Sequence, residues 1–199
     1  MVLQFPMSGN PTAELTSDER TIALSGAVAP MANANLGMIG SGNYASQILI
    51  PAFKNAGAGL ISLCSSGGVS SVHAGKKFGF QSATTDAEAL ISDANVDTVV
   101  VASRHDSHAS YATKALEQGK HVFVEKPLAL TRDELDQIVN AYASAREVGK
   151  APILMAGFNR RFSPLVVKMK SLMDAKSDPK AIIVTMNAGV LPDDHWLHD

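Results

Sequence analysis

Gly40-Ser41-Gly42-Asn43-Tyr44-Ala45 is the segment whose residue types and spacing point most directly to chemistry. It follows the apolar run NLGMI and opens a helical pattern, the setting in which a glycine loop binds a dinucleotide. Gly40 permits the tight turn, Gly42 lets the backbone approach a pyrophosphate, and Ala45 allows a helix to pack closely on a strand. Unpaired N–H groups at the helix start then face the phosphates. About 20 residues on, where an acidic side chain would accept from an adenosine 2′-hydroxyl, the chain reads Cys64-Ser65-Ser66-Gly67. Small hydroxyls leave room for a 2′-phosphate, with Lys76 or Lys77 in reach, so NADP is favoured slightly over NAD. Ser65 and Ser66 also fit a plain turn.

Two further polar stretches, Ser103-Arg104-His105-Asp106-Ser107-His108 and Glu125-Lys126-Pro127, each follow an apolar run. The ends of such strands are where open parallel sheets bind ligands. A lysine there can donate to a substrate oxygen and stabilise developing alkoxide charge; on spacing alone, Lys126 also fits a solvated surface residue.

The elements that must hold these residues alternate. Strands are expected at 36–39, 60–64, 96–102, 121–124 and 153–157, with a weaker one at 80–83. Helices are expected near 43–55, 69–78, 86–92, 107–118 and 132–148. Thr131 and Glu134 have capping-box spacing, as do Thr85 and Glu88. Gly119 and Gly149 sit where helices end in a left-handed residue. Leu135, Ile138, Val139 and Tyr142 fall on one helical face. Strands apolar throughout, such as TVVVA, imply helices on both faces, hence an α/β, doubly wound, mostly parallel sheet. Residues 1–34, rich in breakers, read as an arm or linker with a short strand in TIALSGAV. Residues 35–158 form the dinucleotide-binding domain. Residues 159–199 hold a helix after Ser163-Pro164 and an alternating strand over 180–187, the truncated start of an α+β second domain. The free edge of that strand, or the arm, predicts a homo-oligomer.

The 199 residues carry 17 Lys+Arg against 19 Asp+Glu, a net charge of −2, which argues against nucleic acid or an anionic membrane as partner. A single cysteine, Cys64, excludes an intrachain disulfide and fits a reducing cytoplasm. Asp193, Asp194, His195, His198 and Asp199 read as a polar loop, with no metal expected.

GSGNYA, ASRHDSH, ALEQGKHVFVEKPLA and GFNRRFSP together resemble the Gfo/Idh/MocA-type oxidoreductases. The resemblance implies an NAD(P)-binding Rossmann domain, hydride transfer between nicotinamide and a sugar or polyol carbon, and site residues by matching position. Gly40, Gly42, Asn43 and Tyr44 would contact the pyrophosphate. Ser103 and His105 would line the bridge between adenosine and nicotinamide, and Arg104 and the family's usual histidine, His108, would also be cofactor-binding. Glu125, Lys126 and Pro127 would lie beside nicotinamide and substrate, with Lys126 catalytic, and Asn159 and Arg160 would close over the cofactor. The family commonly has Thr-Pro-Asn where this chain has Ser103-Arg104-His105. VLQFP and DDHWLHD look like a two-part protein in which a zinc-alcohol-dehydrogenase-like module comes first, a type associated with bacterial surface polysaccharide synthesis. The family's acid/base histidine has no counterpart here, so the chain is expected to be catalytically incomplete. The competing reading is a non-catalytic dinucleotide-binding or assembly module.

Overall fold

A computed structural model describes residue 16 and residues 20–24, 34–174, 176–185, 187, 189 and 190. Most of the expected arm, the VLQFP and DDHWLHD segments and the terminal acidic and histidine group lie outside them. The chain divides into two compact units, Met1–Phe158 and Asn159–Asp199.

The first unit is built on β1 (Thr21–Ala23), β2 (Asn35–Ile39), β3 (Gly59–Cys64), β4 (Ser82–Thr84), β5 (Thr98–Val101), β6 (His121–Glu125) and β7 (Leu154–Gly157). Their order across the sheet is β1-β4-β3-β2-β5-β6-β7. All described pairings are parallel except that of β1 with β4. The connecting helices are α1 (Ile50–Asn55), α2 (Val69–Phe78), α3 (Ala87–Ser92), α4 (His108–Glu117) and α5 (Arg132–Glu147). Successive residues of β5 explain the two-sided burial. Val99 and Val101 enter one core with Leu90, Ala112, Leu116 and Ile138, while Val100 enters the other with Leu49, Ile50 and Phe80. This is the doubly wound parallel sheet that apolar strands between amphipathic helices require.

Local signals mostly place the boundaries. Thr131 Oγ1 accepts from Glu134 N at 3.2 Å, and Glu134 Oε2 accepts from Thr131 N at 3.2 Å, closing the capping box of α5. Gly119 and Gly149 take positive φ after α4 and α5. The Thr85–Glu88 box does not form. Asp86, a strong N-cap in its own right, accepts from Ala89 N at 3.0 Å, and the Glu88 carboxylate pairs with Lys114.

The buried stripe of α5 also differs from the expected one. Ile138, Ala141 and Ala145 are buried, whereas Leu135 and Val139 are exposed. Helix α5 packs on α4, whose inward residues are Ala109, Ala112 and Ala115. Small side chains on both helices permit that close approach, and it turns the larger ones outward.

In the second unit, a 3₁₀ turn (Asn159–Phe162) leads into α6 (Pro164–Asp174). Ser163 caps this helix, its hydroxyl accepting from Val166 N at 3.4 Å. Described residues of 180–187 form no strand. Alternating side chains do not hold a strand without a hydrogen-bonded neighbour.

Replacing Thr131 by Ala removes one bond of the capping box. We expect a loss of about 1 kcal/mol in urea unfolding, with nucleotide affinity unchanged.

Candidate functional site

The polar residues singled out above gather at the carboxyl ends of β3, β2, β5 and β6, which lie in that order. Strand order reverses between β2 and β5, the switch point where open α/β sheets carry their ligand crevice.

Gly40 closes β2 with φ +107°. A Cβ there would lie 2.3 Å from the Ala102 carbonyl oxygen and 2.9 Å from Ser103 N. Only a glycine lets the ends of β2 and β5 meet so closely. Gly42 is the opposite case, because a Cβ at that position meets nothing within 4 Å. The backbone there borders open space that an approaching phosphate can use. Asn43 and Tyr44 begin the helical turn, which continues as a π-turn (Ala45–Leu49) before α1. Ala45 is buried against the sheet. An open backbone edge ahead of a helix start fits a dinucleotide pyrophosphate.

On the β3 side, Ser65 accepts from Ser70 Oγ at 3.0 Å and from Ser71 N at 3.1 Å. Ser70 in turn accepts from Ser41 Oγ at 2.9 Å. A hydroxyl relay therefore joins the glycine loop to the end of β3, with Ser66 exposed beside it. The sequence reading missed Ser41 and Ser70 because residues 29 apart meet only through the fold. Lys76 and Lys77 lie in the last turn of α2, away from this crevice, and the Lys77 ammonium sits 5.1 Å from the Phe78 ring centroid.

On the β5 side, a 3₁₀ turn (His105–Ser107) follows Ser103 and Arg104. Ser103 Oγ and Ser107 Oγ are 2.7 Å apart, and Ser107 Oγ donates to the Arg104 carbonyl at 2.9 Å. The His105 pKa lies below its ordinary 6.5, through partial burial first and then through Lys126 and His108, with Asp106 opposing. His108 is 1 % exposed, so it stands beneath the crevice surface rather than in its lining.

Glu125 ends β6 opposite Gly157. A Cβ on Gly157 would come within 2.7 Å of Glu125 Oε1, so this glycine makes room for the carboxylate. Glu125 Oε2 accepts from Lys126 N at 3.3 Å. Lys126 is exposed, and the peptide to Pro127 is cis. Beyond it, Pro127, Leu128, Leu130, Leu135 and Phe158 line an apolar depression of about 440 Å³. Asn159 and Arg160 belong to the 3₁₀ turn of the second unit. Cys64, at the end of β3, is buried, and burial raises its thiol pKa to about 12, with Asp86 adding to the shift. That thiol packs; it does not react.

Two glycine substitutions separate fold from binding. Gly40→Ala is expected to cost about 1–3 kcal/mol of stability through backbone strain and to weaken nucleotide binding. Gly42→Ala should leave the melting temperature in place and weaken binding alone, as read by NADPH fluorescence. His105 gives a pH signature. The unfolded chain binds the His105 proton more tightly than the folded one, so the stability is fully present above pH 6.5 and is lost as pH falls through the folded value. His105→Asn should remove that component from urea midpoints compared between pH 7 and pH 5, and NMR titration should place His105 below 6.5.

Residues 34–151 match a family described as an oxidoreductase family with an NAD-binding Rossmann fold, Gfo/Idh/MocA. Inositol 2-dehydrogenase 2 of Saccharopolyspora erythraea is 38% identical over 111 residues, covering 54% of this chain and 32% of that protein. Levoglucosan dehydrogenase of Pseudarthrobacter phenanthrenivorans is 34% identical over 101 residues, covering 51% of this chain and 25% of that protein. The crystal structure of an oxidoreductase domain protein from Kribbella flavida superposes with a TM-score of 0.65 at 31% identity, covering 73% of this chain and 39% of that one. The chain spans about a third of the length of the curated relatives it matches. No helix among the described residues is long and apolar enough to cross a membrane. A glycine loop at the switch point of a doubly wound sheet, matched over most of that sheet, places this chain in the Gfo/Idh/MocA oxidoreductase family, with an NAD-binding Rossmann domain at residues 34–151.

Proposed function

We propose that the protein works as an NAD(P)-dependent dehydrogenase on a sugar or polyol carbon. In this reading residues 35–158 bind the dinucleotide, residues 159–199 begin the substrate-binding part, and residues 1–34 form an arm. The observation that carries it is the gathering of the glycine loop, the Ser103–His105 turn and Glu125-Lys126-Pro127 along the carboxyl ends of β2, β5 and β6. The span from β3 to β6 crosses three strand spacings, about 14 Å, room for an extended dinucleotide. Gly40–Tyr44 would hold the pyrophosphate, Ser65 and Ser66 the adenosine ribose, and Ser103, Arg104, His105, Glu125, Lys126 and Pro127 would border the nicotinamide.

When bound, the nicotinamide ring accepts or returns the hydride. Lys126 donates a hydrogen bond to the substrate oxygen and stabilises the alkoxide charge that grows there as a carbonyl carbon takes up hydride, and that the reverse step consumes. Glu125 steadies the Lys126 main chain through its carboxylate. Ser65 bears on the choice of nucleotide. A hydroxyl has one proton and two lone pairs, and Ser65 already accepts from Ser70 and Ser71. The O–H that remains needs an acceptor, which a 2′-phosphate supplies better than a 2′-hydroxyl. NADP is therefore the preferred partner. A reducing cytoplasm suits the single buried Cys64. Assembly into a homo-oligomer would cover the exposed Ile182, Ile183 and Val184, and light scattering reads it.

Fluorescence titration should give tighter binding of NADPH than of NADH, and Ser65→Asp should reverse that order. Lys126→Ala should lower turnover of myo-inositol or a related polyol roughly 10²-fold. Binding of neither nucleotide sinks the reading. Tight binding with no turnover across a polyol panel favours the non-catalytic dinucleotide module instead.

A further inference from the structure

His108 is one of four buried polar residues among those described, with Ser62, Ser71 and Thr84, and the only ionisable one. A buried ring with two polar nitrogens is costly unless both are used, and a leucine would fill the space more cheaply. Each nitrogen faces a carbonyl oxygen. Nδ1 lies 2.7 Å from the Pro127 carbonyl oxygen, and Nε2 lies 3.1 Å from the Ser103 carbonyl oxygen. Those carbonyls belong to the segments that follow β6 and β5, two neighbouring parallel strands with Val101 opposite Val124. His108 itself begins α4, so the ring is anchored to a third element. The His105 ring packs on it edge-to-face at 5.6 Å. Carbonyl oxygens only accept, so the ring must donate. A neutral ring has one N–H, and the shorter contact makes Nδ1–H to Pro127 the firmer bond.

We propose that His108 is a positioning residue for Lys126. The Lys126 step is held on one side by the Glu125 carboxylate, which accepts from its main-chain N–H at 3.3 Å. It is held on the other by His108, through the carbonyl of Pro127. The contact to Ser103 sets that step against the loop on the neighbouring strand. His108 therefore touches no ligand and acts through the backbone of two segments that do. This inference rests on the dehydrogenase reading for the role of Lys126, but the strut itself does not.

The test uses the full chain. With 15N-labelled histidine, the His108 ring is expected to carry a slowly exchanging proton on Nδ1; a ring protonated on Nε2 alone overturns the strut. His108→Leu keeps the volume and removes the Nδ1 donor to Pro127 together with the Nε2 contact to Ser103. It should shift the backbone amide signals of Ser103 and Lys126 more than those of α2, and weaken NADPH binding about tenfold, the scale of a small misplacement. Unshifted amides at both positions overturn the proposal. In a double-mutant cycle read on polyol turnover, His108→Leu combined with Lys126→Ala should be no slower than Lys126→Ala alone. Full multiplication of the two losses marks a purely structural role and also overturns it. If Lys126→Ala leaves binding and turnover at wild-type levels, the dehydrogenase reading of Lys126 fails while the amide shifts still decide the strut. Should His108→Leu not fold, His108→Gln, which keeps a donor toward Pro127, should retain the Lys126 amide position; its displacement there counts against the proposal.

Discussion

The contact between the end of β2 and the end of β5 governs the rest of the molecule. A Cβ on Gly40 would sit 2.3 Å from the Ala102 carbonyl oxygen, so the two strands come together only because that side chain is absent. Their neighbours diverge from this point, with β3 on one side and β6 on the other. Helices leave to opposite faces, as the two separate cores show. The opening between them exposes a helix start and several loop ends along one edge. A bulkier residue at Gly40 would push the strands apart and misalign the loops on both sides. The crevice is thus a result of sheet packing, and its polar residues decorate a gap that the backbone has already made.

Much of that backbone was legible in the sequence, for a physical reason. Strands covered on both faces must be apolar without alternation, and TVVV becomes β5 on that account. Capping signals are equally local, and Thr131 with Glu134 forms its box as spaced. The reading failed where a second element decides. Residues 180–187 alternate like a strand, yet the described residues among them are irregular, since alternation supplies a face and no hydrogen-bonding partner. Of the expected stripe of α5, Ile138 and Tyr142 pack on the core, whereas Leu135 and Val139 face outward because alanines on α4 and α5 make the close contact. Thr85 lost its cap role to Asp86, whose own carboxylate reaches Ala89 N.

The site divides along the same line. Gly40, Gly42 and Ala45 could be assigned by order alone, because a strand, a turn and a helix are consecutive. The hydroxyl relay Ser41–Ser70–Ser65 could not, since it links a loop to the first turn of a different helix. Lys76 and Lys77 looked close to Ser65 along the chain, but a helix rises about 1.5 Å per residue and carries them to its far end. The family resemblance alone makes His108 a cofactor-binding residue. Its burial comes from the start of α4, which turns the ring inward under two carbonyls.

Where the family pattern has Thr-Pro-Asn, this chain carries Ser103-Arg104-His105 on a backbone that a proline could also adopt. Arg104 has φ −73° and ψ 156°, within the φ range that a proline ring imposes. An arginine has to give up conformational freedom to reach that geometry, a cost that proline avoids. Side chains hold the turn instead. The Ser103 and Ser107 hydroxyls lie 2.7 Å apart, and Ser107 also donates to the Arg104 carbonyl at 2.9 Å. The loop keeps its shape by hydrogen bonds where a proline would keep it by covalent restraint. The exchange also puts a guanidinium on the exposed side of the crevice. At the third position, an imidazole whose proton is held less tightly than usual replaces an amide that cannot titrate. This edge of the sheet thus pairs a proline-compatible backbone with two basic side chains.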